Sequence, residues 1–434
     1  MFIWRTITII TSKLAILGLR LIGRHGTALP GLMAETMYPG LLKYLAGRIS
    51  GGVILVTGTN GKTTTAKMLR GLMEQRGLRV LANRSGSNFT RGILASVIEH
   101  AKLSGRLDYD IAVFEVDEAY CRWLAEQVKP RTVVVLNVMR DQLDRYGEID
   151  TTAGLIGQSL KFADGAVLNA DDPPVAKLNR QLNDAKNTTY YAVSPQLKNQ
   201  LPSDEELLAG NGISPSQRPE AQIILRDFRP EQDNLVSFAV NKTTLRAKLK
   251  FGGVHNAQNA AAALAALFSL FGNVSQKDAD SLADIQPAFG RGEIINIKGV
   301  PTRLALIKNP SGFNQNIRAF AAKPEIGGIL VLINDRYADS RDVSWLWDVD
   351  LSPLKNLKRV KLFAGGIRAY DMALRFKYED IPVTSVDNSI KSVLMTAVDS
   401  VPRGQELLVL PTYTAMLEVR KLVSKSSELE EIWR

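Results

Sequence analysis

The chain has 434 residues, of which 45% are hydrophobic, and this size predicts two or three domains with buried cores. A single cysteine, Cys121, excludes a disulfide framework and a cysteine-rich zinc site, and it fits a reducing cytoplasm. The net charge is +10, but the basic residues are spread along the chain without zinc-finger spacing or aromatic–basic repeats, so we expect no nucleic-acid partner.

Residues 2–24 are apolar, with basic residues interspersed along their length. No small-residue cleavage site follows, which argues against a signal peptide. Lys13 and Arg20 would lie inside a membrane span at considerable cost, which argues against a transmembrane helix. The pattern predicts an amphipathic helix whose apolar face packs either on the protein or on a membrane surface.

The sequence VILVTGTNGKTTT at 53–65 is the strongest motif of the chain. It predicts a buried parallel strand that leads into a phosphate-binding loop and then a helix, with Lys62 facing the β- and γ-phosphates and the Thr63 hydroxyl reaching Mg²⁺. Val56 occupies a position that is glycine in the general P-loop pattern, so the loop is a narrower variant. We expect ATP to bind at Gly58, Thr59, Asn60, Gly61, Lys62, Thr63 and Thr64.

Strand-like runs alternate with helical segments after this loop, and we expect strands at 78–82, 109–116, 132–137 and 165–169. Polar residues follow each run, which is typical of an open parallel α/β sheet with its ligand at the carboxyl ends of the strands. Glu115 is the best-placed carboxylate for Mg²⁺, the alternative being a solvated charge at a strand end.

Three other sets of polar residues before position 294 are candidates for nucleotide contacts. Asn169, Asp171 and Asp172 either contact a ribose or base or cap a turn. His255 and Asn259 lie at the start of an alanine-rich helix and face the neighbouring cleft, although a lone histidine there is more often a packing residue. Arg291 is a candidate phosphate contact, and the alternative is a surface turn.

The composition divides the chain into three parts. Residues 1–49 contain the amphipathic helix and a Pro/Gly loop, 50–293 the ATP-binding domain, and 294–434 a smaller α/β domain. The stretch 190–235 is rich in Ser, Pro and Asn and predicts an irregular insertion. The loops of the last domain carry acids, tryptophans and glycines, which indicates a site or a partner surface.

Six patterns together resemble the Mur ligase family, and they follow the order of that family. They are TGTNGKTTT (57–65), Glu115, NVMRDQLDRYG (137–147), NADDP (169–173), HNAQN (255–259) and GRGE (290–293). The resemblance implies a P-loop central domain with a parallel sheet and a smaller α/β C-terminal domain. It also implies an ATP-dependent ligase that joins a carboxylate to an amine through an acyl phosphate. In such a ligase Thr63, Glu115 and His255 would hold Mg²⁺, while Asn259 and Arg291 would position the nucleotide.

Two features point to one branch of this family. Only 57 residues precede Gly58, too few for the usual UDP-binding domain, and the loops of the last domain resemble those of lipid II isoglutaminyl synthase ligase subunits. This resemblance implies amidation of the α-carboxylate of D-glutamate in the lipid II stem peptide, giving D-isoglutamine for peptidoglycan. A class I glutamine amidotransferase subunit of the GatD type would supply ammonia, and Asp342 or Asp348 would complete the Cys–His pair of that partner.

Some expectations follow from what the chain lacks. Many members of this branch carry a four-cysteine zinc ribbon, but 190–235 has no cysteine, so we expect no zinc site. Cys121 has no glycine elbow around it, and the chain is not expected to be its own glutaminase. We expect a cytoplasmic protein, with residues 1–24 as a means of contact with the inner membrane face.

Two rival functions remain open from the sequence. A ligase similar to folylpolyglutamate synthase would act on folates without a partner. A non-catalytic ATP-binding scaffold is the other alternative, and the joint presence of Lys62, Thr63, Glu115 and His255 argues against it.

Overall fold

The computed structural model describes residues 2–21, 28–83, 87–139, 149–184, 187–198, 201, 218–250, 252–286, 290–321, 323–355, 357 and 359–423. The whole RDQLDRYG motif (140–147) and residues 199–200 and 202–217 of the predicted insertion lie outside these residues.

The described residues form a larger sheet with β1 (Val53–Thr57), β2 (Val80–Ala82), β3 (Ile111–Glu115), β4 (Thr132–Val135), β5 (Ala166–Asn169), β6 (Thr188–Val193), β7 (Ile223–Arg229), β8 (Leu235–Val240) and β9 (Thr243–Lys248). The order is β2-β3-β1-β4-β5-β6-β7-β8-β9. Pairing is parallel from β2 to β7 and antiparallel at β7/β8 and β8/β9. The central strands are apolar and buried on both faces, as expected for a covered parallel sheet.

The helices of this half are α1 (Phe2–Leu21), α2 (Ala28–Met37), α3 (Leu41–Ala46), α4 (Lys62–Gln75), α5 (Thr90–His100), α6 (Glu118–Val128), α7 (Ile149–Leu160), α8 (Pro173–Ala176), α9 (Pro195–Lys198), α10 (Val254–Phe271) and α11 (Gln276–Ser281). Helices α3, α5, α6 and α7 pack on one face of the sheet, and α4, α10 and α11 on the other. The alanines of α10 are buried, which lets this helix lie close to the strands.

The smaller sheet contains β10 (Arg291–Ile297), β11 (Val300–Ala305), β12 (Ile326–Leu332), β13 (Lys361–Gly365), β14 (Ser385–Asp387) and β15 (Glu406–Pro411). Its order is β10-β11-β15-β12-β13-β14, with β10/β11 antiparallel and the other pairs parallel. The two faces are covered by α12 (Pro310–Asn316), α13 (Ser352–Lys355), α14 (Ala369–Tyr378), α15 (Ile390–Ser400) and α16 (Tyr413–Val423). The predicted α/β architecture with a second, smaller sheet is confirmed.

The described part of 190–235 is more regular than predicted. β6 was not predicted, because its threonines and tyrosines suit strands but read as polar in a composition dominated by Ser, Pro and Asn. β7 and β8 instead form at the strand-like runs AQIIL (221–225) and NLVSFAV (234–240), as those runs predict. The edge strands β9 and β14 were not predicted, since many side chains of β9 are exposed and β14 has only three residues, all half-buried. The second sheet begins at Arg291, three residues before the expected start at 294.

The three N-terminal helices pack against the main domain. Thr8, Ile9 and Ser12 form the buried side of α1, and α2 lies across α5. Pro30 lies in the first turn of α2, where a missing N–H leaves no intrahelical bond unmade, rather than in the predicted loop. None of the described helices is both long enough and apolar enough to cross a membrane.

The crossing of α2 over α5 requires a glycine at position 31. A Cβ on Gly31 would lie 2.0 Å from Arg91 O, whereas one on Gly18, within α1, would meet nothing within 4 Å. We expect Gly31→Ala to lower the free energy of unfolding by about 2 kcal/mol, because backbone must move to admit the methyl group. The matched variant Gly18→Ala should instead raise it by about 0.5 kcal/mol, as alanine favours helix. Urea denaturation of both variants checks this, and equal stabilities would contradict the close crossing.

Candidate functional site

The loop between β1 and α4 has the backbone of a phosphate-binding loop. Gly58 and Gly61 adopt φ angles of +125° and +89°, which side chains rarely tolerate, and a Cβ on Gly61 would lie 2.3 Å from Asn259 Oδ1. Asn137, just after β4, fixes the loop from the side: its O accepts from Thr59 N at 3.0 Å, and its Oδ1 accepts from Asn60 N at 2.8 Å. These two hydrogen bonds fix the position of the loop backbone beside β4.

Lys62 is folded back beneath this loop. Its Nζ donates to Gly58 O at 2.6 Å and to the two carboxylate oxygens of Glu118 at 3.1 and 3.2 Å. Both side chains are buried, with residue exposures of 8% and 5%. Glu118 begins α6, three residues beyond Glu115, and the sequence did not mark it as a site residue.

The charges around this pair are balanced in favour of the ionised forms. Burial lowers the pKa of Lys62, but the carboxylates of Glu118, Asp117 and Glu115 outweigh it, so the pKa lies above its ordinary value. Burial raises the pKa of Glu118, and the positive charges of Lys62 and Lys308 more than offset it. A cation next to a phosphate loop is therefore retained even though water is excluded.

The polar strand ends of the main sheet meet beside the loop. Asp172 accepts from Val138 N at 3.0 Å and from Val175 N at 3.1 Å, and Asp171 accepts from Val193 N at 2.7 Å. Asn169 donates to Leu136 O at 2.9 Å. Asp172 thus caps the first turn of α8, whereas Asp171 and Asn169 bind the backbone of neighbouring strand ends, and all three residues also line the cleft.

His255 and Arg291 lie on the opposite wall of the cleft. Burial, together with the charge of Arg291, lowers the pKa of His255 to about 4, so the imidazole is neutral at pH 7. Burial also lowers the pKa of the Arg291 guanidinium, and the nearby Glu115 carboxylate offsets only part of that shift. A neutral imidazole keeps a lone pair that can ligate a metal ion or accept a proton.

The C-terminal domain closes the cleft from above. Asn309 Nδ2 donates to Asn60 Oδ1 at 3.3 Å, and Ser311 Oγ lies 3.0 Å from Met139 Sδ. Asn309 Oδ1 also accepts from Gly312 N at 2.8 Å and so begins α12. The sequence marked this loop as rich in polar residues but gave no sign that it touches the phosphate loop.

The structure brings most of the predicted site residues together. Those that line the cleft are Asn60, Gly61, Thr63, Thr64, Asn169, Asp171, Asp172, His255, Asn259 and Arg291. Lys62 lies under the loop with Glu118, and Glu115 ends β3 with its backbone bonded to the side chain of Asn83. Residues that the sequence did not single out complete the walls: Asn137, Met139, Lys198, Gly312, Gln315, Asn316 and Phe320.

Asp342 and Asp348 do not lie among the residues of this cleft. Asp342 Oδ1 accepts from Ser344 N at 2.8 Å and so caps a turn, and Asp348 ends the exposed 3₁₀ turn Ser344–Asp348. The buried Asp339 accepts from Thr414 N at 2.7 Å and from Arg336 N at 3.2 Å, which ties the start of this loop to the end of β15. The loop 334–350, which we call the acidic loop, therefore forms a surface of the second domain that is separate from the cleft.

The donor set around the loop suits Mg²⁺ better than a softer metal. Thr63 and Glu115 offer hard oxygen ligands, and the described chain contains no group of three or more His, Cys, Asp and Glu side chains arranged to hold a metal ion. Mg²⁺ keeps several waters and shares phosphate oxygens, so one hydroxyl and one carboxylate fit its needs.

Comparison with known proteins agrees with this geometry. Residues 56–267 match the Mur ligase middle domain, and 306–416 match the MurT ligase C-terminal domain. The lipid II isoglutaminyl synthase (glutamine-hydrolyzing) subunit MurT of Streptococcus pneumoniae (strain ATCC BAA-255 / R6) is 30% identical, over 92% of this chain and 93% of that relative. The chain belongs to the MurT family of Mur ligases.

Other relatives agree with this membership. The corresponding MurT subunit of Staphylococcus aureus (strain COL) is 25% identical, over 96% of this chain and 97% of that relative. The solved MurF ligase of Thermotoga maritima, in complex with ADP, has the same fold: its TM-score is 0.67 at 20% identity, over 90% of this chain and 84% of that one. The predictions of a Mur-type ligase and of the isoglutaminyl synthase branch are confirmed.

The buried Lys62–Glu118 pair generates a stability prediction. The variant Glu118→Gln removes the negative charge nearest to Lys62 and leaves only those of Asp117 and Glu115. The pKa of Lys62 therefore falls, and the free-energy cost of burying its charge is no longer offset. We expect the free energy of unfolding to drop by about 3 kcal/mol in urea denaturation. The matched variant Glu74→Gln breaks the exposed pair of Arg70 and Glu74, whose N–O distance is 2.7 Å, and should cost less than about 0.5 kcal/mol. Equal losses would show that the buried pair is not compensated as described.

His255 generates a pH prediction. Its folded pKa of about 4 lies below the ordinary 6.5, so between these values the unfolded chain binds a proton that the folded chain does not. Stability is then lost as the pH falls from 6.5 towards 4. Between about pH 7.5 and about pH 5, His255→Asn should lose roughly 2 kcal/mol less than the wild-type chain in urea denaturation.

Arg291→Met tests the second cause of this shift. Because it removes a positive charge beside the imidazole, the acid loss of stability should be smaller than in the wild-type chain but larger than in His255→Asn. The same pH dependence in all three proteins would show that His255 is not held in its neutral form.

Proposed function

We propose that this chain is the ligase subunit of a lipid II isoglutaminyl synthase. It amidates the α-carboxylate of D-glutamate in the lipid II stem peptide with ATP and ammonia, in peptidoglycan biosynthesis. The observation that carries the proposal is the buried Lys62 under a phosphate loop that the C-terminal domain contacts through Asn309. Membership of the MurT family supports the choice of substrate, because the relatives carry that name.

The reaction has two displacements. A carboxylate oxygen of the substrate attacks the γ-phosphorus of ATP, ADP leaves, and the product is an acyl phosphate. Ammonia then attacks the acyl carbon, the carbon–oxygen bond to phosphate breaks, and phosphate leaves. Negative charge develops on the transferring phosphoryl group and ADP in the first step, and on the acyl oxygen and the departing phosphate in the second, in which ammonia loses a proton to solvent. A preorganised cation stabilises such charge most effectively in a site that excludes water.

The residues of the cleft divide this work. Lys62 would leave Glu118 for the phosphates, and the N–H groups of 58–63 would bind them at the start of α4. Asn259 and Arg291 would orient the nucleotide from the opposite wall. Thr63 and Glu115, with neutral His255 as a further contact, would hold Mg²⁺, which supplies charge neutralisation for phosphoryl transfer when bound.

The buried cysteine supports an external source of ammonia. Burial raises the pKa of the Cys121 thiol to about 12, so the sulfur is protonated at neutral pH, and its side chain lies within the core beneath the main sheet. A glutaminase needs an accessible thiolate. We therefore assign glutamine hydrolysis to a GatD-type partner subunit, with Asp342 or Asp348 of the acidic loop reaching the Cys–His pair of that partner.

One experiment tests the proposal. We mix the chain with a GatD-type subunit, lipid II, glutamine and ATP. We expect one carboxyl group of the stem peptide to become an amide, as detected by mass spectrometry. Lys62→Met should lower the rate by about 10³-fold. The matched variant Lys67→Met, one turn along α4 and outside the cleft, should stay within about threefold, as surface positions do.

The ammonia source and the substrate are tested in separate arms. Free ammonium should replace glutamine and the partner, since it enters at the same step. Product with ammonium but none with glutamine and partner would refute the assigned ammonia source alone. No product in either arm, together with glutamate-dependent ATP turnover on folates, would replace the proposal with the folylpolyglutamate-synthase alternative.

A further inference from the structure

The outer face of α1 is an uncovered apolar stripe. Its residues recur at helical spacing along one side of the helix. Their exposed fractions are 69% for Ile3, 38% for Ile7, 61% for Leu14, 53% for Leu17 and 80% for Leu21. Trp4, at the N-terminal end, is 62% exposed. A helix of 20 residues is about 30 Å long, so the stripe is far larger than a scatter of single surface leucines.

The other side of α1 already has its packing partners. Thr8, Ile9 and Ser12 are buried, and Lys13 Nζ donates to Glu99 O at 2.8 Å. The Arg5 guanidinium lies 3.8 Å from the centroid of the Tyr44 ring. These contacts fix the rotation of the helix, so the stripe cannot turn inward without breaking them. One of the two predictions for this helix was that its apolar face packs on the protein. The buried face of α1 agrees with that prediction, but the exposed apolar face has no packing partner among the described residues.

Neighbouring residues extend the same apolar surface and give it a charged edge. Leu29 and Leu32 of α2, which contacts α1, are 52% and 38% exposed. Lys13 and Arg20 lie seven residues apart along one edge of the stripe, where Lys13 donates to the backbone O of Glu99 and Arg20 pairs with the Glu99 carboxylate. Helix α1 itself contains no acidic residue. An apolar face with a cationic edge and a terminal tryptophan is typical of a helix that lies in a membrane interface.

The overall charge decides between the possible occupants. The chain carries +10, which attracts an anionic lipid leaflet and opposes a second copy of the same chain. We propose that the stripe of α1, extended by Leu29 and Leu32, lies on an anionic bilayer surface with the helix axis parallel to the membrane plane. The proposal deepens the proposed function in one respect, because a lipid-linked substrate is presented at that surface.

Sedimentation with vesicles tests this surface directly. We expect the full chain to bind phosphatidylcholine vesicles that contain phosphatidylglycerol, and to bind pure phosphatidylcholine more weakly. Leu14→Ser/Leu17→Ser should raise the lipid concentration for half-binding at least about tenfold, because two leucines no longer enter the interface. The matched variant Leu103→Ser/Leu374→Ser alters two leucines of similar exposure, 52% and 45%, elsewhere on the surface and should change it less than about twofold.

Two results would overturn the proposal. One is a wild-type chain that does not bind anionic vesicles, including the case in which light scattering shows a dimer that Leu14→Ser/Leu17→Ser dissolves. The other is equal vesicle binding by the two double variants. Both pairs of leucines are exposed, so their replacement is expected to leave the thermal unfolding midpoint unchanged, and a circular dichroism melt verifies that the variants are folded.

The vesicle assay requires neither ATP nor a partner, so its outcome is independent of the proposed reaction. Vesicle binding without amidation would remove the proposed function and keep this surface, and amidation without vesicle binding would do the reverse. When both hold, Leu14→Ser/Leu17→Ser should slow amidation of vesicle-embedded lipid II and leave amidation of a water-soluble stem-peptide substrate unchanged.

Discussion

The Lys62–Glu118 ion pair is the interaction on which the site depends. A lysine that serves phosphates must lie where water is excluded, and without phosphates its charge would be unbalanced there. Glu118 supplies the balance at 3.1 Å, and Gly58 O accepts a further bond. The cation is therefore already buried with a carboxylate partner, and under the proposed function a triphosphate would replace that carboxylate with its own negative oxygens.

Sheet topology explains why so many polar groups reach this lysine. In the sheet β1 lies between β3 and β4, and all three strands are parallel. Their carboxyl ends therefore meet around the phosphate loop. Asn137 after β4 and Glu115 at the end of β3 thus flank the loop, although they are far apart in sequence. Alanine-rich α10 lies close to the sheet and brings Asn259 to the turn at Gly61.

The sequence predicted what depends on local pattern. The loop 58–65, the buried strands and the polar strand ends follow from residue type and spacing, and the family motifs added His255, Asn259 and Arg291. What it missed depends on distant contacts: Glu118 reads as an ordinary first-turn acid, and Asn309 as a helix cap. Strands β6 and β9 were not predicted. Both contain threonines, and β9 also has exposed positions, so their sequences are similar to those of polar loops.

The C-terminal domain links the two ends of the proposed reaction. β11, β15 and β12 are parallel neighbours, so the Asn309 loop and the acidic loop leave the same edge of one sheet. Asp350 N, at the end of the acidic loop, donates to Asn314 Oδ1 of α12 at 2.9 Å, and this bond connects the two loops. A displacement that withdrew Asn309 from Asn60 would therefore also displace Asp342 and Asp348. Under the proposed function, the contact with the phosphate loop and the acids offered to the partner subunit thus belong to one connected part of the C-terminal domain.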